Sequence, residues 1–286
     1  MVTLKTWEQR MIEDLKLYDY RERTRGAYHL AARQFIGHVG KEPAAITEDD
    51  VRAYFLHLRE ERKLAPSTIN VALHGLRFFF LYTLRRDWPV LDLLRCHKPR
   101  RLPIILSRAE VRLLIQAVQH PVRRMLLIAL YAFGFRITEG LWLLTEDIDS
   151  QRLMVWARNA KGARDRGVPL PRPVLARLRR YWKTERPASS SKHLFVSDNT
   201  VGLIDASTIQ KTFAAALKQT GIHKKATPHT LRHSYATHLV EAGVSLRTVQ
   251  QLLGHKSLRT TEVYMHVTQA SLEKVQEVVD ALMADL

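Results

Sequence analysis

Apolar positions near the front of the chain recur at three- and four-residue steps. Ile69, Leu73, Leu76, Phe80 and Leu84 fall on one helical face, and Ala65-Pro66-Ser67-Thr68 opens that helix. Ahead of it, Thr47 followed three residues later by Asp50 forms a capping box, which predicts a helix running to about Arg62. Residues 7–98 therefore read as all-helical. Phe78-Phe79-Phe80 sits at helical spacing and reads as core, the alternative being a base-stacking platform.

Between Asp87 and Pro103 the pattern stops. Trp88-Pro89 and the run Cys96 to Pro103 combine three prolines with basic side chains, which disfavours helix. The expected organisation is a helical domain over 1–95, a basic proline-rich linker over 96–104 and a second domain over 105–286. Ser107 and Glu110 make a second capping box at its start. Helices are predicted at 107–119, 121–133, 172–183, 207–219, 228–242 and 246–253, with Gly221 and Gly243 as stops. Leu153 to Ala157 and Gly167 to Leu170 are strand-like, joined by a polar, basic turn from Arg158 to Arg166. A final amphipathic stretch carries Leu272, Val275, Val279 and Leu282. The fold class is mainly α with a small β-hairpin or sheet, α+β overall.

Composition narrows the partners. The 286 residues carry 45 Lys plus Arg against 28 Asp plus Glu, a net charge of +17. The excess is +6 over residues 1–101 and +11 over the rest, so both parts offer phosphate-neutralising surface. A polyanion is the implied partner, as in a protein that grips DNA from two sides; a basic enzyme without a nucleic-acid partner is the alternative. A single cysteine, Cys96, excludes an internal disulfide and cysteine-based metal sites. The longest apolar run, Met125 to Phe135, is too short to span a bilayer, and the charged start has no signal-peptide core. A cytoplasmic protein without a membrane partner is expected.

Five clusters carry candidate chemistry. Arg136 follows a buried helix, and Glu139 three residues on can hold its guanidinium, as it also would in an ordinary structural ion pair. Lys161 sits in the basic turn beside Gly162, where a lysine can reach toward a ligand or simply be solvated. Thr227 and Pro228 open a helix at N-cap and N1, which puts His229 and Arg232 on one face of its first turn as a seat for phosphate. His233 one turn later invites a metal, yet no third ligand stands at fixed spacing. Leu252-Leu253-Gly254 ends a helix and presents His255, and Tyr264 follows nine positions on. Arg77, Arg85 and Arg86 in the first domain, Lys98, Arg100 and Arg101 in the linker, and Arg164 and Arg166 in the turn are candidate DNA contacts.

Taken in order, Arg136, Lys161, His229-x-x-Arg232, His255 and Tyr264 resemble the catalytic set of the tyrosine recombinases, the phage-integrase and Xer-like family. The segments His229 to Leu239, Leu252 to His255 and Thr260 to Tyr264 match its wording, in detail across 103–286. Phe135 stands where leucine is common in the family. The resemblance implies a SAM-like helical core-binding domain ahead of a recombinase catalytic domain. It further implies metal-free, cofactor-free transesterification through a 3′-phosphotyrosine on Tyr264, with strand exchange between two DNA sites. A homotetramer on DNA is implied, in which the final helix docks on a neighbour or packs at home. A second recombinase or an accessory DNA-bending protein are further partners it leaves open. Two rivals stand beside it. Ala236 to Leu253 with Gly243 looks like a helix-turn-helix regulator, and a type IB topoisomerase shares the chemistry.

Overall fold

A computed structural model describes residues 6–93, 102–158, 165–197 and 202–254. The chain divides into two compact units, Met1–Arg100 and Arg101–Leu286.

The first unit is helical. Helix α1 (Trp7–Leu17) opens with a capping box in which Thr6 and Gln9 exchange hydrogen bonds. Helix α2 (Glu22–Val39) ends on Gly40 in the left-handed region, φ 67°. Helix α3 (Glu48–Leu56) begins at the predicted Thr47–Asp50 box, where Asp50 accepts the Thr47 N–H at 2.9 Å. Helix α4 (Pro66–Phe78) begins at the predicted proline, and a short α5 (Val90–Leu93) follows it. Both α3 and α4 finish in a wide π turn, over His57–Glu61 and Phe79–Thr83, closed by Arg62 N–H to His57 and Leu84 N–H to Phe79.

The core of this unit is aromatic. Phe78, Phe79 and Phe80 are all buried, as helical spacing predicts. Phe79 meets Trp7 edge-on at 5.2 Å, Phe80 packs on Trp88 at 4.3 Å, and Phe35 touches both Phe80 and Tyr54. Two of the candidate DNA-contacting arginines are engaged within this unit. Arg77 pairs with Asp92 and donates to the Leu91 carbonyl at 2.8 Å. Arg86 donates to the carbonyls of Ala44 at 2.7 Å and Ile46 at 3.2 Å, with its guanidinium over the Trp88 ring. Arg85 is exposed, with φ 58°.

The second unit opens with α6 (Arg108–Ala117), capped by the predicted Ser107–Glu110 box. Helices α7 (Pro121–Ala132) and α8 (Ile137–Leu141) follow. A three-stranded antiparallel sheet comes next, in the order β1 (Ile148–Asp149), β2 (Met154–Ala157), β3 (Arg166–Pro169). Val155 pairs with Val168 and Ala157 with Arg166, the hairpin that the sequence predicts. Its first strand is an addition of two residues. Then come α9 (Arg172–Arg180), α10 (Ala206–Gln219), α11 (Pro228–Glu241) and α12 (Leu246–Leu253). Gly221 and Gly243 terminate α10 and α11 at φ 67° and 87°.

Helix α7 runs through the centre of this core. Met125, Leu126, Leu127, Ala129 and Leu130 pack with Val155 and Val168 of the sheet and with Leu175, Leu178, Phe213 and Leu231. Val249 and Leu253 of α12 cluster with Ala236 of α11, so the predicted helix–Gly243–helix unit exists. Residues 255–286, with the final amphipathic stretch, lie outside the described residues.

Candidate active site

The site is built where α7 ends. The chain turns out of α7 at Phe133 and Gly134, and Gly134 adopts φ 60°. A Cβ there would stand 2.5 Å from the Tyr235 ring of α11, so glycine is required both by the dihedral and by that packing. The turn delivers Phe135 into the core and makes Arg136 the N-cap of α8. Glu139 sits at the third position of that helix. One of its oxygens accepts the Arg136 backbone N–H at 2.8 Å and the other accepts from Arg136 Nη1 at 2.7 Å. The spacing of three residues thus produces the contact that the sequence suggests.

Glu139 holds more than one arginine. Its side chain is 6% exposed, and Arg166 of β3 approaches it with a two-pronged fork, Nη1 to Oε1 at 3.1 Å and Nη2 to Oε2 at 2.8 Å. Arg232 of α11 adds a third guanidinium, Nη1 lying 3.5 Å from Oε2. Burial alone would push the Glu139 carboxyl up. The hydrogen bonds and charge of Arg166, the Arg136 backbone N–H and the charge of Arg232 outweigh it and hold the group at about 2. Three guanidiniums around one carboxylate leave the cluster cationic, a setting suited to a phosphodiester.

The two arginines expected to grip phosphate differ in exposure. Arg136 keeps 39% of its side chain in contact with solvent. Arg232 is fully buried: Nη1 donates to the Gly134 carbonyl at 2.7 Å, and Nη2 donates to the Leu253 carbonyl at the end of α12. His229, one turn earlier on α11, remains exposed, so His229 and Arg232 are close without sharing one open face. Desolvation by its neighbours, then the charges of Arg232 and Arg136, hold the His229 imidazole below its ordinary value, against an opposing pull from Glu139. That favours a neutral ring, one able to accept a proton. The His233 ring meets His229 edge to face at 4.6 Å; burial, then His229 and Arg232, hold it at about 4.

Arg166 corrects an expectation. The sequence places it at the edge of a charged turn as a DNA contact, yet it is 8% exposed and its guanidinium faces inward. Besides Glu139 it donates Nε to the Leu252 carbonyl at 2.7 Å and lies over the Phe135 ring. One signal for this was available. Strand alternation from the inward Val168 puts Arg166 on the same face two residues earlier. Further around the cluster, Tyr131 and the buried His238 share a 2.8 Å hydrogen bond, and Ser234 accepts the Leu106 N–H at 2.9 Å. Neither was singled out by sequence. Of the other candidates, Lys161, His255 and Tyr264, together with Lys98, Arg100, Arg101 and Arg164, lie outside the described residues. Among the described residues no helix is long and apolar enough to cross a membrane.

Residues 105–271 match the model of the phage integrase family, and residues 7–90 match the phage integrase N-terminal SAM-like domain. A putative integrase/recombinase, y4qK, of Sinorhizobium fredii is 40% identical over 260 residues, covering 91% of this chain and 83% of that protein. The tyrosine recombinase XerA of Thermococcus kodakarensis is 35% identical over 228 residues, covering 78% of this chain and 79% of its own length. Among solved structures, a lambda integrase dimer bound to a core site superposes with a TM-score of 0.74 at 18% identity, covering 91% of this chain and 94% of that one. The XerH recombinase in a pre-cleavage complex with its difH substrate gives 0.72 at 19%, covering 96% and 84%; these two likenesses speak for the fold. A helical SAM-like unit, a catalytic unit with a small sheet and an arginine cluster at the end of α7 thus meet in one assignment: the chain belongs to the phage integrase family of tyrosine-type site-specific DNA recombinases.

Proposed function

We propose that this chain binds double-stranded DNA and breaks and rejoins its strands by transesterification, with Tyr264 as nucleophile and a 3′-phosphotyrosine as intermediate. The observation that carries this reading is the cluster of Arg136, Arg166 and Arg232 on Glu139, with Arg136 and His229 at its solvent edge. A phosphodiester repels nucleophiles and has poor leaving groups. In-line displacement needs charge on the non-bridging oxygens, an aligned nucleophile and a proton for the departing oxygen. Arg136 supplies the first need with a planar fork, and Arg232 supports it from behind. His255 adds a donor to the same oxygens. His229, held neutral, takes the phenol proton, and Lys161 protonates the 5′-oxygen as it leaves. The tyrosyl phosphate stores the bond energy, so a 5′-hydroxyl of another strand reverses the step and no cofactor is consumed.

The working assembly in this reading is a homotetramer on two DNA sites in the cytoplasm, joined by a second recombinase or a DNA-bending protein where the task needs one. The test is covalent trapping in EDTA, with wild type and Tyr264→Phe incubated with nicked DNA from the native genetic context. Wild type is expected to give an SDS-resistant adduct and Tyr264→Phe none, with DNA affinity retained. Tight sequence-selective binding without an adduct would move the reading to a regulator built on α11 and α12. An adduct that changes linking number without rearranging segments would move it to a topoisomerase.

A further inference from the structure

Arg166 is doing something that neither a surface contact nor an ordinary ion pair requires. Its guanidinium uses all three nitrogens at once, two on the Glu139 carboxylate and one on the Leu252 carbonyl. Those partners belong to different parts of the unit, the first turn of α8 and the last turn of α12. The end of α12 carries the negative pole of the helix, and Arg232 takes the neighbouring Leu253 carbonyl. Two buried arginines therefore cap consecutive carbonyls of α12, and both return to one carboxylate. The fit is close. Gly254 turns out of α12 at φ 63°, and a Cβ there would lie 3.1 Å from the Arg166 side chain.

We infer that Arg166 is a positioning residue of the cleavage reaction, clamping the end of α12 to the carboxylate that orients Arg136. This rests on the proposed role of Arg136 at the scissile phosphate. Arg136 is held by Glu139, so any displacement of the carboxylate displaces the exposed guanidinium. The same clamp holds the last turn of α12, which ends at Gly254. A lysine cannot replace it, because one ammonium offers no rigid fork to reach carboxylate and carbonyl together. The charges facing Glu139 are Arg136 on its own turn, Arg166 from β3, and Arg232 and His229 from α11.

The experiment compares full-length wild type, Arg166→Lys and Arg166→Met in three readouts. In the first, carbon NMR follows the Glu139 carboxyl, assigned by difference from Glu139→Gln. In wild type it stays ionised throughout the ordinary glutamate range, and in Arg166→Met its midpoint rises, with Arg166→Lys between; an unmoved midpoint overturns the clamp. In the second, DNA affinity is measured against salt. The slope is expected to match wild type, whereas a slope smaller by about one would make Arg166 a phosphate contact. In the third, adduct formation is timed at saturating protein. It is expected to fall by about 100-fold in Arg166→Met, with its acid limb moved to higher pH, and an unchanged rate overturns the inference. Should Arg166→Met fail to fold, Arg166→Lys carries all three comparisons. If wild type itself forms no adduct, the function reading fails, and the NMR titration still decides whether the clamp exists.

Discussion

The two units bury different things. The first hides aromatic rings, and of the buried polar side chains among the described residues only Thr83 belongs to it. The second buries Asp147, Arg166, Thr230, Arg232, Ser234, Thr237 and His238 along with its aliphatic core. Arginines serve both, but in different ways. Arg86 in the first unit ties a loop by donating to carbonyls and stacking on Trp88, with no carboxylate involved. Arg166 and Arg232 in the second converge on Glu139 and on the end of α12. A charge taken out of water costs several kcal/mol unless it is fully paired, so a fold keeps such a cluster where it is used. The contrast separates a unit whose core provides stability from one whose core also holds an arrangement of charge.

The largest test of that contrast removes one side chain from each core. Glu139→Ala leaves three guanidiniums without their carboxylate and should cost about 3–5 kcal/mol. Phe79→Ala opens a cavity under Trp7 and Phe80, also at about 3–5 kcal/mol. Urea unfolding should find similar losses, but only Glu139→Ala should abolish adduct formation by protein that remains folded. Equal loss of chemistry in Phe79→Ala would erase the distinction.

Acid should act on the second unit through the same carboxylate. The Glu139 carboxyl is held below its ordinary value of 4.5, at about 2, so its contribution is complete above 4.5 and is lost as pH falls toward 2. The loss is on the order of 3 kcal/mol across that window. Thermal unfolding of Glu139→Gln should show a shallower decline with acid than wild type; parallel curves would count against the network. The smallest effect is local. Gly134→Ala forces a left-handed dihedral and crowds Tyr235, at a cost of about 2 kcal/mol. Because the Gly134 carbonyl receives Arg232, adduct formation should slow about tenfold, beyond what lost stability explains, in a single-turnover assay.

Sequence alone reached much of this molecule because its signals are local. The capping boxes at Thr47 and Ser107, the prolines that open α4, α7 and α11, and the glycines that close α10 and α11 each act within one turn. The Arg136–Glu139 pair was legible for the same reason. What was missed depends on distant packing. Nothing in the spacing marks the wide turns that end α3, α4 and α9, and β1 is too short to alternate. Arg166 looks like one more charge in a basic turn until β3 is seen to bury it. Arg77 and Arg86 look free until Asp92 and the carbonyls of Ala44 and Ile46 are brought to them by the tertiary fold.

The bond from Arg232 to the Gly134 carbonyl spans 98 residues of chain. Synthesis proceeds at about 5–20 residues per second, so the acceptor waits about 5–20 s before its donor exists. Contacts of such separation form late in folding, after local helices and hairpins have settled. A nascent or prematurely terminated chain that ends before α11 has α7, α8 and the hairpin but lacks the arginine that joins them to the end of α12. The cluster on Glu139 is thus complete only once α11 has been made, and a chain that stops short of it lacks one of the three guanidiniums.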